Sequence, residues 1–478
     1  MLIKDEALLA CIKKQLHKEN ISEIDLSEMT ILNARKADIK DLDGLEYAKK
    51  LKYLDLTGNA IESLTPLKAL HEVEVLNLSK NQIRELWPIS GFHDLLRLDL
   101  SRNNLYMMDL AAISRLDNLE ELNLNRSKIN GIEPLEGMKK LKVLHLGISS
   151  GELKLTSLAS MPQLEELYLA KMWLYEIEDL VYLKNLKKLD LSTNLFSDLS
   201  PLHNLKHLKS LDLSNNEYLH DYDSLSKLDE LEELNISYNK VNDFSFLKNL
   251  DSLKDLRMPQ TGIEDVSVLS QLKKIRKLDI SNNRIINSDV LDNLNDLVYF
   301  SASSCQLKNI DFLKDAFQME QLMIHNNLIS NIDILNHFKY LTTVDASSNN
   351  IKDIKCLSEQ TNLECLLLAN NSISNIEPLR YLTNLGALDL YNNIVSDLSP
   401  LCLLVNLSRL RLDHNSIMDL NPLRDIQNLS SLTLKANYII DVEPLINLKN
   451  LYELTLDDNP IEDISALEDL EYFEKFSS

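Results

Sequence analysis

A single eleven-residue pattern, L-x-x-L-x-L-x-x-N-x-I, recurs along almost the whole of this 478-residue chain. It begins at Leu51 and returns 22 residues later at Val73. Most later steps are also 22, and the exceptions are one step of 24 and two steps of 23. The nineteen first positions are 51, 73, 95, 119, 141, 164, 186, 208, 231, 253, 275, 297, 319, 341, 363, 385, 407, 429 and 451. Because chance does not give nineteen registers, the chain is predicted to be an array of stacked repeats.

Within each copy, apolar and polar residues alternate. Leu54 and Leu56 are separated and flanked by Tyr53, Asp55 and Thr57. Alternation with period two predicts a short strand whose leucines point inward. One repeat cannot bury its own leucines, so each strand is expected to pair with the same strand of the next repeat.

The period and the residue types match the leucine-rich-repeat signature. The predicted fold is an α/β solenoid, a right-handed arc with a parallel, concave β-sheet and convex 3₁₀ or turn segments. In the convex half, proline fixes φ and favours a single 3₁₀ segment over a long helix. These prolines are Pro66, Pro88, Pro134, Pro201, Pro378, Pro400, Pro422 and Pro444.

The ninth position of the repeat is asparagine in fourteen copies. An amide carries donors and acceptors, so stacked asparagines are predicted to form a ladder that satisfies backbone groups where the chain leaves the strand. They are Asn59, Asn81, Asn103, Asn194, Asn216, Asn239, Asn283, Asn327, Asn349, Asn371, Asn393, Asn415, Asn437 and Asn459. The exceptions are Ser127, Ser149, Met172, Thr261 and Cys305.

The chain is expected to comprise an N-terminal cap with one degenerate repeat (1–50), nineteen repeats (51–461) and a C-terminal cap (462–478), because an open stack needs both ends covered. A helix over 4–19 is expected to supply the first cap with Leu8, Ile12 and Leu16. The degenerate repeat contributes Leu32, Ala34, Ala37 and Ile39. The second cap offers Leu467, Leu470, Phe473 and Phe476.

The chain is acidic, with 50 basic and 73 acidic residues and a net charge of −23. Such a field repels phosphate backbones, and no basic stripe is evident, so a nucleic-acid partner is not expected. A protein partner with basic patches fits the net charge better.

The five cysteines are odd in number and form no CxxC: Cys11, Cys305, Cys356, Cys365 and Cys402. Buried reduced thiols are predicted, which suggests a reducing compartment. The N-terminus is too charged for a signal peptide, and no apolar run approaches a membrane span. The expected location is the cytoplasm, with a surface or secreted location only for a processed fragment.

The segment 30–59, TILNARKADIKDLDGLEYAKKLKYLDLTGN, closely resembles the start of bacterial internalin-like leucine-rich-repeat domains. The IxxLxPLxxLxNL form is also similar to eukaryotic phosphatase-regulatory leucine-rich-repeat proteins. The resemblance implies a protein-binding domain and carries no particular binding residue, since partner contacts are not part of the repeat motif. The sequence shows no cell-wall sorting motif or immunoglobulin-like domain of surface internalins.

Motifs for chemistry are weak. His203 and His207 have i, i+4 spacing but lack the glutamate of HExxH, and Asp221 and Asp223 lack the glycine and terminal glutamate of a calcium loop. Neither GxxxxGK[ST] nor GxGxxG occurs, and GxSxG occurs once, as the isolated match GISSG at 147–151. We therefore expect no enzyme, no cofactor and no metal site.

Outward strand positions are the informative ones, because packing demands nothing there. Their central column is mostly Asp or Asn, interpreted as a column that solvates the sheet. Departures from it, and residues near them, are candidate partner contacts, because exposed aromatic and arginine side chains are typical interface anchors. The alternative is local repacking of irregular repeats. The candidates are Tyr168, Trp173, Tyr299, Met323, His325, Leu367, Tyr391, Arg409 and Arg411.

The expected function is a non-catalytic, monomeric scaffold that binds a protein or peptide on its concave face without contacting nucleic acid or membrane. Two alternatives stay open. The chain could regulate an enzyme such as a phosphatase, or it could be the adhesion domain of an internalin-like surface protein.

Overall fold

A computed structural model of the protein describes residues 2–105, 110–129, 131–148 and 154–467. The chain divides into two compact units, Met1–Leu250 and Asp251–Ser478. Strands and 3₁₀ segments alternate through both units, after two α-helices at the N-terminus.

The first unit contains α1 (Glu6–Leu16), α2 (Glu23–Ser27) and ten strands of three residues each. The strands are β1 (Ile31–Asn33), β2 (Tyr53–Asp55), β3 (Val75–Asn77), β4 (Arg97–Asp99), β5 (Glu121–Asn123), β6 (Val143–His145), β7 (Glu166–Tyr168), β8 (Lys188–Asp190), β9 (Ser210–Asp212) and β10 (Glu233–Asn235). Each pairs in parallel with the next, and Leu32, Leu54 and Leu76 lie in register. The degenerate repeat therefore supplies the first strand of the sheet.

The second unit contains ten further three-residue strands, again paired in parallel with their successors. They are β11 (Asp255–Arg257), β12 (Lys277–Asp279), β13 (Tyr299–Ser301), β14 (Gln321–Met323), β15 (Thr343–Asp345), β16 (Cys365–Leu367), β17 (Ala387–Asp389), β18 (Arg409–Arg411), β19 (Ser431–Thr433) and β20 (Glu453–Thr455).

The return half of each repeat is a short 3₁₀ segment, as predicted. In the first unit the segments are Leu45–Tyr47, Thr65–Ala69, Trp87–Ile89, Leu110–Arg115, Glu133–Leu135, Thr156–Ser160, Glu178–Tyr182, Ser200–Asn204, Asp223–Lys227 and Ser245–Asn249. In the second they are Ser267–Gln271, Ser288–Leu291, Asp311–Leu313, Asp333–His337, Lys355–Leu357, Glu377–Leu379, Ser399–Leu403, Asn421–Leu423, Glu443–Asn447 and Ser465–Leu467. All eight predicted prolines lie in the first turn of a segment. The leucine-rich-repeat solenoid predicted from the sequence is confirmed.

The core lies between the strands and the 3₁₀ segments of each unit. Leu54 and Leu56 are fully buried, and so are most of their equivalents in other repeats. Burying a leucine side chain stabilises the fold by about 1.5–3 kcal/mol relative to exposure. Because every repeat contributes the same positions, the core continues from one repeat to the next within a unit.

Helix α1 begins with a side-chain cap and covers the first repeat. The carboxylate of Asp5 accepts the backbone N–H of Leu8, and Leu8 and Ile12 are buried. Leu16 is only half-buried, because α1 ends there. The five-residue helix α2 follows with a capping box on Ser22, an element too short to show helical periodicity in the sequence.

The ninth-position asparagines join successive repeats through backbone hydrogen bonds. The side-chain amide of Asn349 donates to the carbonyl oxygens of Ala346 in its own repeat (3.1 Å) and Ile324 in the preceding one (2.9 Å). Its oxygen accepts the N–H of Ile329 at 3.0 Å. One side chain thus satisfies three buried backbone groups that would otherwise cost free energy.

Other ninth-position residues replace only part of this pattern. The hydroxyl of Ser127 donates to the carbonyl of Leu100 at 2.9 Å, and the thiol of Cys305 donates to that of Ile280 at 3.2 Å. Met172 has no such donor and is simply buried. Ser149 lies outside the described residues.

The cysteines only partly match the prediction of buried thiols. Cys305 and Cys356 are buried, but Cys11 and Cys365 are half-buried and Cys402 is exposed. The expectation is wrong for Cys402, because it occupies a surface position of a 3₁₀ segment and not a core position. All five are free thiols.

The last described 3₁₀ segment ends at Leu467, which is buried. The other residues assigned to the C-terminal cap, Leu470, Phe473 and Phe476, lie outside the described residues. Within the described part of the chain, no helix is long and apolar enough to span a membrane.

Candidate interaction surface on the outward strand face

The central column of outward strand positions has a structural role that the sequence did not reveal. In ten repeats an Asp or Asn side chain in this column accepts the backbone N–H of the residue two positions later, as Asp99 does from Ser101 at 2.8 Å. The ten are Asp55, Asn77, Asp99, Asn123, Asp190, Asp212, Asn235, Asp279, Asp345 and Asp389. The column closes the turn after the strand. The interpretation that it solvates the sheet is wrong for Asp55, which is 2% exposed because Thr57 covers and bonds its carboxylate.

The turn then requires a left-handed residue at the eighth position of every repeat. Only one of the nineteen is glycine, and their φ angles lie between 50° and 74°. We call them the eighth-position row. They are Gly58, Lys80, Arg102, Arg126, Ile148, Lys171, Thr193, Asn215, Tyr238, Gln260, Asn282, Ser304, Asn326, Ser348, Asn370, Asn392, His414, Ala436 and Asp458. The backbone N–H of this residue donates to the neighbouring repeat, for example from Arg102 to the carbonyl of Asn125 at 2.8 Å.

Aromatic and basic side chains cluster at two places, which include the column departures His145, Tyr168 and Arg411. At the first, which we call the Tyr168 cluster, the rings of Tyr168 and His145 on adjacent strands stack with centroids 4.1 Å apart and planes at 6°. The Tyr168 hydroxyl donates to Glu166 at 2.6 Å, and the Lys188 ammonium lies 5.5 Å from its ring centroid. Burial raises the pKa of the Tyr168 phenol well above its usual value and lowers the pKa of His145. The pair is therefore a neutral aromatic platform near pH 7.

The second place, the Tyr391 cluster, comprises residues of β17 and β18 and of the turns that follow them. Arg411 donates to the carboxylate of Asp389 at 2.7 Å, and its guanidinium carbon lies 5.3 Å from the ring centroid of Tyr391. The ring of Tyr391 also meets His414 edge-on at 5.3 Å. Burial raises the pKa of Asp389 despite the nearby arginine. The cluster presents an aromatic ring and a cation side by side.

The remaining candidates are more scattered. Tyr299, Met323 and Leu367 are half-buried on β13, β14 and β16, and burial raises the pKa of Tyr299. His325 lies beyond its strand, with its Nδ1 3.1 Å from a carboxylate oxygen of Asp345. Arg409 is exposed at the start of β18, beside the Tyr391 cluster in sequence.

Trp173 does not share the strand face with Tyr168. It follows β7 in the turn, has φ of 57° and is 69% exposed. Met172, which the sequence placed in the same irregular zone, is buried in the core. Trp173 is therefore a separate exposed side chain at the edge of the sheet.

A cavity of about 310 Å³ opens beside the Tyr168 cluster. Tyr168 and Asp190 line it from the strands, while Arg102 and Arg126 line it from the eighth-position row. The remaining lining residues are Ser101, Asn123, Asn125, Gly147, Ile148 and Ala170.

Sequence reasoning missed His145, Lys188 and His414 as contributors to these clusters. His145 was visible as a departure from the Asp/Asn column in the repeat directly before Tyr168. Treating neighbouring departures as pairs would have found it. Arg102 and Arg126 carried no comparable signal, because nothing in one repeat distinguishes them from ordinary surface residues.

The histidines and aspartates considered as metal ligands have other partners. Nδ1 of His203 lies against the carbonyl of Ser200, and Nδ1 of His207 lies 3.5 Å from a carboxylate oxygen of Glu230. The carboxylate of Asp221 accepts the N–H of Asp223 at 2.9 Å. Across the described ranges, no group of three or more His, Cys, Asp or Glu side chains is arranged to hold a metal ion.

Three segments match the family model described as Leucine Rich repeats (2 copies): 184–230 and 206–249, which overlap, and 361–403. Together with the fold, these matches define a protein built of leucine-rich repeats. They cover less than half of the chain, and they do not distinguish one kind of leucine-rich-repeat protein from another.

Solved structures with this fold include the leucine-rich-repeat ectodomain of the plant membrane receptor kinase GASSHO1/SCHENGEN3 from Arabidopsis thaliana, in complex with CASPARIAN STRIP INTEGRITY FACTOR 2. It is 21% identical in sequence, with a TM-score of 0.56 over 87% of this chain. The chain spans 57% of that ectodomain. A TLR13–ssRNA13 complex is 19% identical, with a TM-score of 0.54 over 92% of this chain and 86% of that one. At these identities the likeness concerns the fold alone.

An internalin, inlF, from Listeria monocytogenes is 20% identical and covers 95% of both chains, but its TM-score is 0.28. That superposition supports no argument beyond the shared repeat. The internalin-like and phosphatase-regulatory resemblances therefore stay predictions.

Proposed function

We propose that this chain is a non-catalytic scaffold that binds a protein or peptide partner on the outward strand face, acting as a monomer. The observation that carries the proposal is the pair of aromatic and basic clusters on that face. In these clusters Tyr168 and Arg411 stand where ten other repeats have the Asp or Asn that closes the turn.

The replacement is costly for the fold, which is why it suggests a function. At Tyr168 and Arg411 the repeat gives up a side-chain acceptor for a backbone N–H, although ten other repeats keep one. A hydrogen bond of this kind contributes about 0.5–1.5 kcal/mol. Neither residue adds to the leucine core in return. Selection for contact with a partner explains the exchange.

The chemistry of the clusters suits an interface. Tyrosine and arginine are enriched among residues that dominate binding free energy, and both clusters hold them in fixed geometry through stacking or ion pairing. Because the side chains are already ordered, binding loses little conformational entropy.

A binding role agrees with what is known of proteins sharing this fold. The GASSHO1/SCHENGEN3 ectodomain, which has a similar fold, was solved in complex with CASPARIAN STRIP INTEGRITY FACTOR 2. We place the scaffold in a reducing compartment, since its five cysteines are free thiols.

The test is an affinity capture from lysate of the native cells with three baits, read by quantitative mass spectrometry. One bait is the unmodified chain. The second carries Tyr168→Ala, Tyr391→Ala and Arg411→Ala. The third is a matched control with two exposed tyrosines and one exposed cation changed in the return half of the repeats, namely Tyr182→Ala, Tyr381→Ala and Lys314→Ala.

We expect a partner retained by the first and third baits and lost from the second. Retention by all three would contradict a site on the outward strand face. Absence of any partner would contradict an intracellular scaffold and make an extracellular ligand the better hypothesis. If the retained partner is a phosphatase or another enzyme, the scaffold is a regulatory subunit.

A further inference from the structure

The eighth-position row changes character along the chain. In the repeats of β3 to β7 it carries Lys80, Arg102, Arg126 and Lys171, interrupted only by Ile148. From Thr193 to Ala436 the same row contains no lysine or arginine. The first unit of an otherwise acidic chain therefore has a basic rim along the C-terminal edge of five adjacent strands. We call Lys80, Arg102, Arg126 and Lys171 the basic rim.

The rim corrects the expectation that the chain has no basic stripe. Its members are 22, 24 and 45 residues apart, so no window along the sequence shows them together. Stacking brings them to neighbouring strands, which are about 4.8 Å apart. The whole rim is then about 19 Å long, four such spacings from β3 to β7.

The rim residues are exposed and, among the described residues, make no ion pair. Three lysines just before strands β2, β6 and β8, at the opposite edge of the sheet in the first unit, behave differently. Lys52, Lys142 and Lys187 lie 2.6 to 3.1 Å from a glutamate oxygen of a neighbouring repeat. The charges of these three lysines are thus neutralised within the protein, whereas the charges of the basic rim are available to another molecule.

The cavity beside the Tyr168 cluster lies against the middle of the rim. Arg102 and Arg126 line the cavity, and the small residues Gly147 and Ala170 form its floor. A Cβ atom on Gly147 would lie 2.9 Å from the carbonyl oxygen of Ala170, so the position does not accept a side chain without a shift. The buried amide oxygen of Asn125 faces this floor, 3.2 Å from that Cβ position, and has no hydrogen-bond partner among the residues that the structure describes.

We propose that the basic rim and the adjoining cavity bind an acidic segment of a partner protein in extended conformation. The inference rests on the proposed function and names the chemistry of the partner. Carboxylates of the segment pair with Arg102 and Arg126. An apolar or aromatic side chain packs over Gly147 and Ala170 against the ring of Tyr168. About six extended residues span the rim at roughly 3.3 Å each.

The floor of the site favours a peptide over a nucleic acid. Asp190 and the amide oxygen of Asn125 are acceptors, and a peptide backbone supplies an N–H donor at every residue except proline. A phosphodiester backbone has only acceptors, and its continuous charge would lie beside Asp190. A peptide can place its carboxylates at the rim alone.

The experiment pans a phage library of random dodecapeptides on the immobilised full chain. The most enriched peptide is then synthesised with a fluorescent label, and its Kd is measured by anisotropy. The rim variant is Arg102→Gln with Arg126→Gln. It is expected to fold, because Gln260 occupies the same row with φ of 54°. The control is Lys314→Gln with Lys339→Gln, which removes the same charge from exposed return positions.

We expect enrichment of Asp and Glu, a Kd about tenfold higher for the rim variant, as two exposed ion pairs would give, and no change for the control. Three results would overturn the inference. They are selected peptides with no acidic enrichment, equal binding by the rim variant, and tighter rim-dependent binding of a twelve-nucleotide oligouridylate than of the peptide. In each case the three-bait capture still tests the proposed function independently. Its variant changes Tyr168, Tyr391 and Arg411 and leaves Arg102 and Arg126 in place.

Discussion

The imidazole of His145 lies flat on the phenol ring of Tyr168, with ring centroids 4.1 Å apart and planes at 6°. The two residues are 23 positions apart in sequence and directly opposed on neighbouring strands. The stack buries the imidazole, and burial lowers the pKa of His145 even though Glu121, Glu166 and Asp99 act to raise it. Charging the imidazole must therefore weaken the native state.

The His145 pKa is the first testable consequence. In NMR titration its ring should titrate below 6.5, the value of an unperturbed histidine. Below about pH 6.5 the His145 side chain of the unfolded chain binds a proton more readily than that of the folded chain. The stability that the neutral imidazole contributes is therefore lost as the pH falls from about 6.5 towards the pKa of the folded state. The variant His145→Gln should lose this part of the pH dependence, while His220→Gln should keep it. Titration of His145 above 6.5 would contradict the account.

The asparagine ladder gives a prediction about stability. Asn349→Ala leaves the N–H of Ile329 and the carbonyl oxygens of Ile324 and Ala346 without a side-chain partner. Stranding buried groups should lower the free energy of unfolding by about 1–3 kcal/mol, measured in urea. The adjacent, exposed Asn350→Ala is the control and should have little effect. Equal midpoints for the two variants would show that the ladder contributes nothing to stability.

The left-handed row predicts a stabilising substitution. Thr193 has φ of 58°, a conformation that β-branched residues rarely adopt, and asparagine fills the same row at several other repeats. Thr193→Asn should therefore stabilise the fold by about 1 kcal/mol, seen as a higher urea midpoint. Thr343→Asn places the same change on a strand and should be neutral or destabilising. A lower midpoint for Thr193→Asn would refute the strain assigned to this row.

Features that recur in every repeat were predictable from the sequence. Nineteen repeats show the same pattern, and this repetition predicts the inward leucines, the parallel register, the 3₁₀ segments and the positions of the ladder asparagines. Helix α1 was also predictable, because its apolar stripe has helical spacing. Helix α2 was not, since five residues are too few to show a period.

Relations between repeats were much harder to predict. The sequence pointed to Tyr168 and Arg411 as departures from the column and to Tyr391 near them, but not to the stack with His145 or to the edge-on contact with His414. Nor did it show that the column closes turns, because that role depends on a backbone N–H whose direction only the folded turn fixes. The basic rim was also not predicted, because each repeat contributes only one of its residues and stacking brings them together.

The central claim is that a partner touches the outward strand face, and site-specific photo-crosslinking tests it most directly. In the native cells, a photo-reactive benzoylphenylalanine would replace Tyr168 or Tyr391 on that face, and Tyr182 or Tyr381 in the return half of the repeats. The account predicts crosslinks to one common partner from positions 168 and 391 and none from 182 and 381. Crosslinks from 182 and 381 alone would contradict it and move the interface to the return side of the repeats.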